Sequence, residues 1–326
     1  MDNFNYQKIC SDLLSDLAQR QKEVISRRFG LNKLPNKETL ESIGKNFGIC
    51  RERVRQIQET GLEKIRPKAE KYQKAFQLFL NYFKKVGDLR KEEILLADLG
   101  GRNWQNEVNF LLTIKPPFQR LSENKDLYSL WFIDKDSFSL AKKIIGSFSN
   151  QLQKSGKLLP IEDLKYPLPI KKEVLSSFLE ISKKIQKNEE GLYGLKDWPE
   201  INPRGIKDKA YLVFKKIGKP LHFSEIANLI EGSHLQTVHN ELIKDPRFVL
   251  VGRGVYALQE WGYYPGQVKD VILKILKEGE KPLTKEEILN EVLKQRFVKE
   301  NTVLLNLSNK KYFFRDSQGK FFIKEI

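Results

Sequence analysis

Cysteine is nearly absent from this 326-residue chain: Cys10 and Cys50 are the whole supply, far apart on different expected helices and at no metal-binding spacing. That excludes a disulfide framework and a cysteine-based zinc site, and reduced thiols fit a cytoplasmic protein. Histidine is almost as scarce. His222, His234 and His239 fall in one stretch, but His222 and His239 belong to different elements at no ligand spacing, so no metal is expected. No apolar run approaches the length of a membrane-spanning helix, and the start Met-Asp-Asn-Phe-Asn-Tyr lacks a basic segment leading into an apolar one. Neither a membrane span nor a secretory signal is expected. Catalytic motifs are missing as well: no nucleophile elbow, phosphate loop or clustered metal ligands. Glu123-Asn124-Lys125 has the Glu-x-Lys shape used by some nucleases, yet it sits in an expected turn with no strand-borne Asp before it. No enzyme activity, cofactor or small-molecule ligand is expected.

Positive charge is abundant. Lys and Arg number 58 against 42 Asp and Glu, a formal net charge of +16, which implies an acidic polymer as partner. The length calls for several domains rather than one core.

The most informative stretch runs from Thr39 to Arg66. Leu40, Ile43 and Phe47 are spaced three and four apart, as on one buried face of a short helix. Gly48 follows where that helix must stop and turn. In a second helix Val54, Ile57, Leu62 and Ile65 face inward, while Arg51, Glu52, Arg53, Arg55 and Gln56 crowd the first turns. Helix, glycine turn, helix with a polar N-terminal end: the pattern predicts a helix-turn-helix whose second helix meets the DNA major groove. Arg suits guanine, Gln adenine and Glu cytosine, and Arg also neutralises phosphate.

The string Arg51-Glu52-Arg53-Val54-Arg55-Gln56-Ile57, with Thr39-Leu40-Glu41-Ser42-Ile43-Gly44 and Arg28-Phe29-Gly30-Leu31 before it, resembles region 4 of housekeeping-type bacterial sigma factors. That region reads the −35 promoter element, and the resemblance covers about Leu13 to Arg66. It implies that Arg51, Glu52, Arg55 and Gln56 face bases, that Arg28, Thr39 and Arg53 lie near the DNA backbone, and that RNA polymerase core is a partner. Two departures stand out. Cys50 replaces the usual Thr or Ser at the recognition helix N-cap, a weaker cap. Gly61 replaces an expected Ala, at a cost of about 1 kcal/mol in helix propensity. Nothing before residue 13 matches the promoter-melting region of a sigma factor, so the chain is expected to act as a regulator or accessory initiation factor.

Leu13, Leu14, Leu17, Val24 and Ile25 predict a helical support over Asn5 to Phe29, ended by Gly30, and Pro67 is expected to loosen or end the recognition helix. Beyond Pro67 a short aromatic strand recurs, centred on Tyr128, Tyr193, Tyr256 and Phe321 at steps of 65, 63 and 65 residues. A period of that size is one small domain. Each aromatic is expected to plug the core beneath a strand pair, and Trp131, Trp198 and Trp261 to cover domain edges.

The third copy is the clearest. Helices are expected at Ala210 to Ile217, Phe223 to Ile230 (capped by Ser224) and Leu235 to Ile243. Phe248-Val249-Leu250-Val251 and Val255-Tyr256-Ala257-Leu258 form a hairpin turned at Gly252-Arg253-Gly254, which makes a winged helix. With Lys219-Pro220-Leu221-His222, Thr237 to Leu242, Asp245 and Phe248, this copy resembles the HARE-type helix-turn-helix. Similar modules occur in the delta subunit of bacterial RNA polymerase and fused to DNA-modifying or DNA-cutting enzymes. Its candidate DNA contacts are Gln236, Thr237, His239, Asn240, Lys244 and Arg253.

The expectation is a mainly α protein with small β-hairpin wings: a helix-turn-helix domain at 1–68, degenerate winged helices at 69–135 and 136–203, a HARE-like winged helix at 204–263 and a fourth at 264–326. It is expected to be cytoplasmic and nucleoid-associated, and to bind promoter-like double-stranded DNA as a transcription factor. The alternatives are a delta-like polymerase accessory protein and the DNA-recognition subunit of a modification or restriction system.

Overall fold

The computed structural model describes residues 4–32, 36–163, 165–167, 169–279 and 281–323. The chain is mainly α-helical with small antiparallel sheets, and divides into two compact units between Asp197 and Trp198.

In the first unit the expected single support helix is two helices, α1 (Tyr6–Leu14) and α2 (Gln19–Phe29). The Ser15 hydroxyl donates back to the Asp12 carbonyl (2.7 Å) and closes the turn. Leu17 then tucks into the core, 8% exposed, and redirects the chain. Next come α3 (Leu40–Phe47) and α4 (Arg51–Ala69). Pro67 does not end α4. The helix runs through it into a 3-10 turn at Glu70–Tyr72 and then α5 (Gln73–Val86). Lys68, bonded to the Asp12 carbonyl and to Asp16, and Arg66, bonded to the Ile114 carbonyl, pin the turns around it.

β1 (Leu89–Lys91), α6 (Glu92–Gly100), α7 (Gln105–Ile114), β2 (Gln119–Leu121) and β3 (Leu130–Phe132) follow, with sheet order β1-β3-β2. One apolar core runs through all of this. Leu13, Ile25, Leu62 and Ile65 share it with Phe79, Phe83, Phe110 and Leu111. The helix-turn-helix is therefore embedded in the helices after it, and residue 68 lies inside a shared core. Trp131, expected at an edge, is 1% exposed within β3 and donates its indole N–H to Glu92 (3.1 Å). The unit is completed by α8 (Lys135–Ser155), α9 (Lys172–Glu180), β4 (Ile185–Lys187) and β5 (Tyr193–Leu195). The fully buried Ser177 hydroxyl on α9 donates to the Leu89 carbonyl on β1 (2.6 Å).

The second unit contains α10 (Gly205–Ile217), β6 (Leu221–His222), α11 (Phe223–Leu229), α12 (Leu235–Lys244), β7 (Phe248–Gly252) and β8 (Val255–Leu258), with order β6-β8-β7. α13 (Val268–Glu278), α14 (Lys285–Gln295), α15 (Glu300–Leu307), β9 (Phe313–Arg315) and β10 (Phe321–Ile323) follow. Arg296, 4% exposed, donates to the carbonyls of Tyr264, Gln295 and Gly266 and clamps the connection between these two halves. α11 is capped by the His222 ring, which accepts from the Ser224 amide, with Glu225 returning the bond to the His222 amide (2.8 Å); Ser224 is not the cap.

A single strand pairing recurs four times. Leu89 pairs with Phe132, Leu159 with Tyr193, Leu221 with Tyr256 and Leu283 with Phe321, each antiparallel. The first aromatic in this series is Phe132, not Tyr128. Tyr128 lies outside the strand, its ring near the ammonium groups of Lys91 (4.3 Å) and Lys183 (5.6 Å).

Candidate nucleic-acid interface

Val54, Ile43 and Val24, each fully buried, form a small cluster of their own beneath the start of α4. It fixes the crossing of α2, α3 and α4 and turns the polar side of α4 outward. Arg51, Glu52, Arg53, Arg55 and Gln56 are all exposed there. Gly48 closes α3 with φ 66°, and Ile49 donates its amide to the Gly44 carbonyl (3.0 Å). A Cβ on Gly44 would meet the Ile49 carbonyl oxygen at 2.6 Å, so the turn requires that glycine too. Glycine within an otherwise helical run was its only trace in the sequence. Cys50 occupies the N-cap without a side-chain hydrogen bond.

The base-facing candidates are already paired among themselves. The Arg55 guanidinium donates to Glu52 through Nε (3.0 Å) and Nη2 (2.7 Å), and its Nη1 meets Glu59. These bonds hold the Glu52 carboxyl below its ordinary range and raise the Arg55 pKa. Arg53 donates to the Gln56 side-chain carbonyl (3.1 Å). Glu59 therefore competes with any base for Arg55, a role that sequence reading missed. Its signal was the i, i+4 spacing to Arg55.

Of the backbone candidates, Thr39 caps α3 by accepting from the Ser42 amide (3.1 Å), and is itself exposed. Its hydroxyl proton is left to donate outward. Arg28 is half-buried at the end of α2 and donates to the Glu38 carbonyl (2.9 Å). The Glu38 carboxylate is engaged elsewhere, by Arg27 in a fork (2.7 and 2.8 Å) and by the Ser42 hydroxyl (3.1 Å). That network ties the chain before α3 onto α2.

The other side of the helix-turn-helix is closed. α1, α2 and α4 bury Leu13, Ile25, Leu62 and Ile65 against α7 and its neighbours. Only the side bearing the start of α4 is polar and open.

In the second unit, Gln236, Thr237, Asn240 and Lys244 are exposed on α12, with Gln236 bonded to Asn240 (3.1 Å), and Arg253 is exposed in its hairpin turn. His239 is half-buried, its ring 4.3 Å from Phe223 and edge-on to Tyr256 at 6.0 Å. Leu235 (49%) and Ile243 (62%) are exposed on the same helix. The Asn124 side chain caps a turn by accepting from the Asp126 and Leu127 amides, and Glu123 pairs with Lys183. Among the described residues no group of three His, Cys, Asp or Glu is placed to hold a metal ion, and no helix is long and apolar enough to cross a membrane.

An exposed Arg/Glu/Gln helix end on a glycine-turned helix pair defines a DNA-binding helix-turn-helix. Residues 13–67 match the family described as sigma-70, region 4, a DNA-binding helix-turn-helix that reads the −35 element. Over 55 residues the chain is 46% identical to the RNA polymerase sigma factor SigA of a Bacillus species, which is 17% of this chain and 14% of that protein. Over 54 residues it is 46% identical to the RNA polymerase sigma factor RpoD of Helicobacter pylori (strain ATCC 700392 / 26695), 8% of that protein. The chain thus spans a small fraction of the curated relatives it matches. Among solved structures, a bacterial selenocysteine-specific elongation factor EF-Sec aligns over 65% of this chain and 33% of its own at 16% identity and a TM-score of 0.23, too low to bear on fold or function.

Proposed function

We propose that this protein is a non-enzymatic, sequence-specific DNA-binding factor of transcription initiation. Arg51, Glu52, Arg55 and Gln56 read a −35-like element in the major groove, and Arg28, Thr39 and Arg53 bind the flanking backbone. The observation that carries this reading is the exposed polar end of α4, set on the Val24–Ile43–Val54 cluster within the segment matching sigma-70 region 4. Each good base contact supplies about 1–3 kcal/mol of discrimination. The four units that repeat the Leu–aromatic strand pairing are winged helices by their order of helices and strands, the third HARE-like. Their positive charge adds salt-sensitive affinity. The setting is the bacterial cytoplasm, on the nucleoid.

RNA polymerase core is the proposed protein partner. The apolar side of α1, α2 and α4 is filled by α7, so that contact uses another surface. The exposed Leu235 and Ile243 on α12 favour a second reading for the third winged helix, in which it binds protein as a delta-like accessory module.

The test is a random-pool duplex selection at about 0.15 M salt, with wild type and Arg55→Ala/Gln56→Ala. A −35-like motif enriched by wild type and lost by the variant supports the reading. Equal, motif-free binding by both refutes it and leaves a sequence-blind adaptor.

A further inference from the structure

Four cations from four separate elements converge beside the start of α4. Arg28 ends α2, Lys37 lies in the segment leading to α3, Arg51 opens α4, and Arg120 sits on β2, outside the sigma-like residues 13–67. Among the described residues neither Arg28 nor Arg51 has a carboxylate within ion-pair distance; the bond that Arg28 makes goes to a neutral carbonyl. The nearest acid, Glu38, is spent on Arg27 and Ser42. Glu92 is the carboxylate that reaches this group, and it is forked to Arg120. Burial, then the charges of Arg120 and Arg51, push the Arg28 pKa down. Lys37 is pushed down by burial and by Arg120 and Arg28, against the pull of Glu92. Four positive charges thus feel one another around a single acid, an arrangement that an anion relieves.

Arg120 is held firmly. β2 pairs with β3 on one side, and Phe118 just before it lies in the aromatic core with Phe76, Phe79 and Phe83. Its side chain is nevertheless 40% exposed, and Nη1 reaches the Ser122 hydroxyl at 3.1 Å.

We infer that Arg120, with Arg28, Lys37 and Arg51, forms a phosphate-binding site for the DNA backbone at the flank of the groove that α4 reads. The site rests on the DNA-reading function proposed above and extends it beyond the sigma-like segment. A backbone phosphate is the fitting anion because Arg51 belongs to both the cation group and the base-reading turn, and phosphates border a groove that a helix enters.

The test is binding of a selected duplex and a scrambled duplex, by fluorescence anisotropy across a salt series, using the full chain. Arg120→Gln and Lys37→Gln should each lower the slope of log affinity against log salt by about 1 and weaken both duplexes equally. Glu92→Gln should do the opposite and tighten both, because it frees Arg120 and removes a negative charge from the phosphate site. Weakening by Glu92→Gln in parallel with Arg120→Gln would mean that Arg120 is only a strut for Glu92 and Trp131, and would overturn the inference. Unchanged slopes in the Lys37 and Glu92 variants would overturn it even if Arg120→Gln failed to fold. Failure of wild type to prefer the selected duplex sinks the DNA-reading proposal; wild-type preference with unaltered variants sinks this site alone.

Discussion

Gly61 on α4 is the point where the recognition helix crosses α2, and its replacement tests how tightly that crossing is packed. A Cβ there would lie 2.8 Å from Cδ1 of Ile25 and 3.5 Å from Cβ of Gln21. Ile25 is fully buried, so its methyl has no free space to enter. Gly61→Ala gains about 1 kcal/mol of helix propensity but overpacks the crossing at about 1–3 kcal/mol. The net expectation is a loss of roughly 1 kcal/mol. Ile25→Val deletes the clashing methyl and by itself costs about 1 kcal/mol. In the double variant the new Cβ fills the space left by Cδ1. The clash and the cavity then cancel, and stability returns to about the wild-type value. The coupling between the two sites is therefore roughly 2 kcal/mol, well above what independent sites show. Native-state hydrogen exchange on peptides spanning α2 and α4 measures it without requiring the whole chain to unfold in one step. Additive single effects would show that the Gly61–Ile25 contact does not govern the crossing.

Other expectations are as direct. Glu59→Gln removes a competitor for Arg55 and should tighten binding of the selected duplex by roughly twofold; equal or weaker binding in anisotropy would contradict it. Arg247 holds the Asp245 carboxyl below the ordinary aspartate range. Near pH 4 the unfolded chain thus binds more protons, so the stability this contact contributes is complete above about pH 4 and is lost as pH falls through the lower native value. Asp245→Asn should flatten that acid limb when exchange is followed on β7 and α10. Gly254 has φ 70°, and a Cβ there would meet His222 Nε2 at 2.4 Å. Gly254→Ala strains the backbone and displaces the cap of α11, at a cost of roughly 2 kcal/mol. A melting temperature for the second unit equal to that of wild type would refute this.

The helix-turn-helix was legible because every signal for it is local: Leu40, Ile43 and Phe47 at helical spacing, Gly48 at positive φ, and polar residues on the outer side of α4. What escaped was decided by distant contacts. The break between α1 and α2 carries no Gly or Pro; it exists because Leu17 is drawn into the core. Pro67 reads as a helix end, yet it removes only one backbone bond, and Arg66 and Lys68 on either side anchor the helix to α7 and α1. His222 rather than Ser224 caps α11, a choice invisible until the ring is seen against the Ser224 amide. Tyr128 fell near the expected period, but strand pairing gives the position to Phe132. At the interface, the residue types on α4 were readable from their pattern. The Arg28–Lys37–Arg51–Arg120 group was not, since Arg120 arrives from a strand far along the chain.

Residues 13–67 carry the resemblance, yet the core they help to build extends to Trp131. The stretch that can be inherited and the stretch that can fold are therefore different lengths. A cut at Pro67 would sever an unbroken helix and bare Leu13, Ile25, Leu62 and Ile65 to water. A reading head transplanted from this protein must take its β1–β3 buttress with it, and a recombination event that delivered the short piece alone would have delivered a recognition sequence with nothing to stand on.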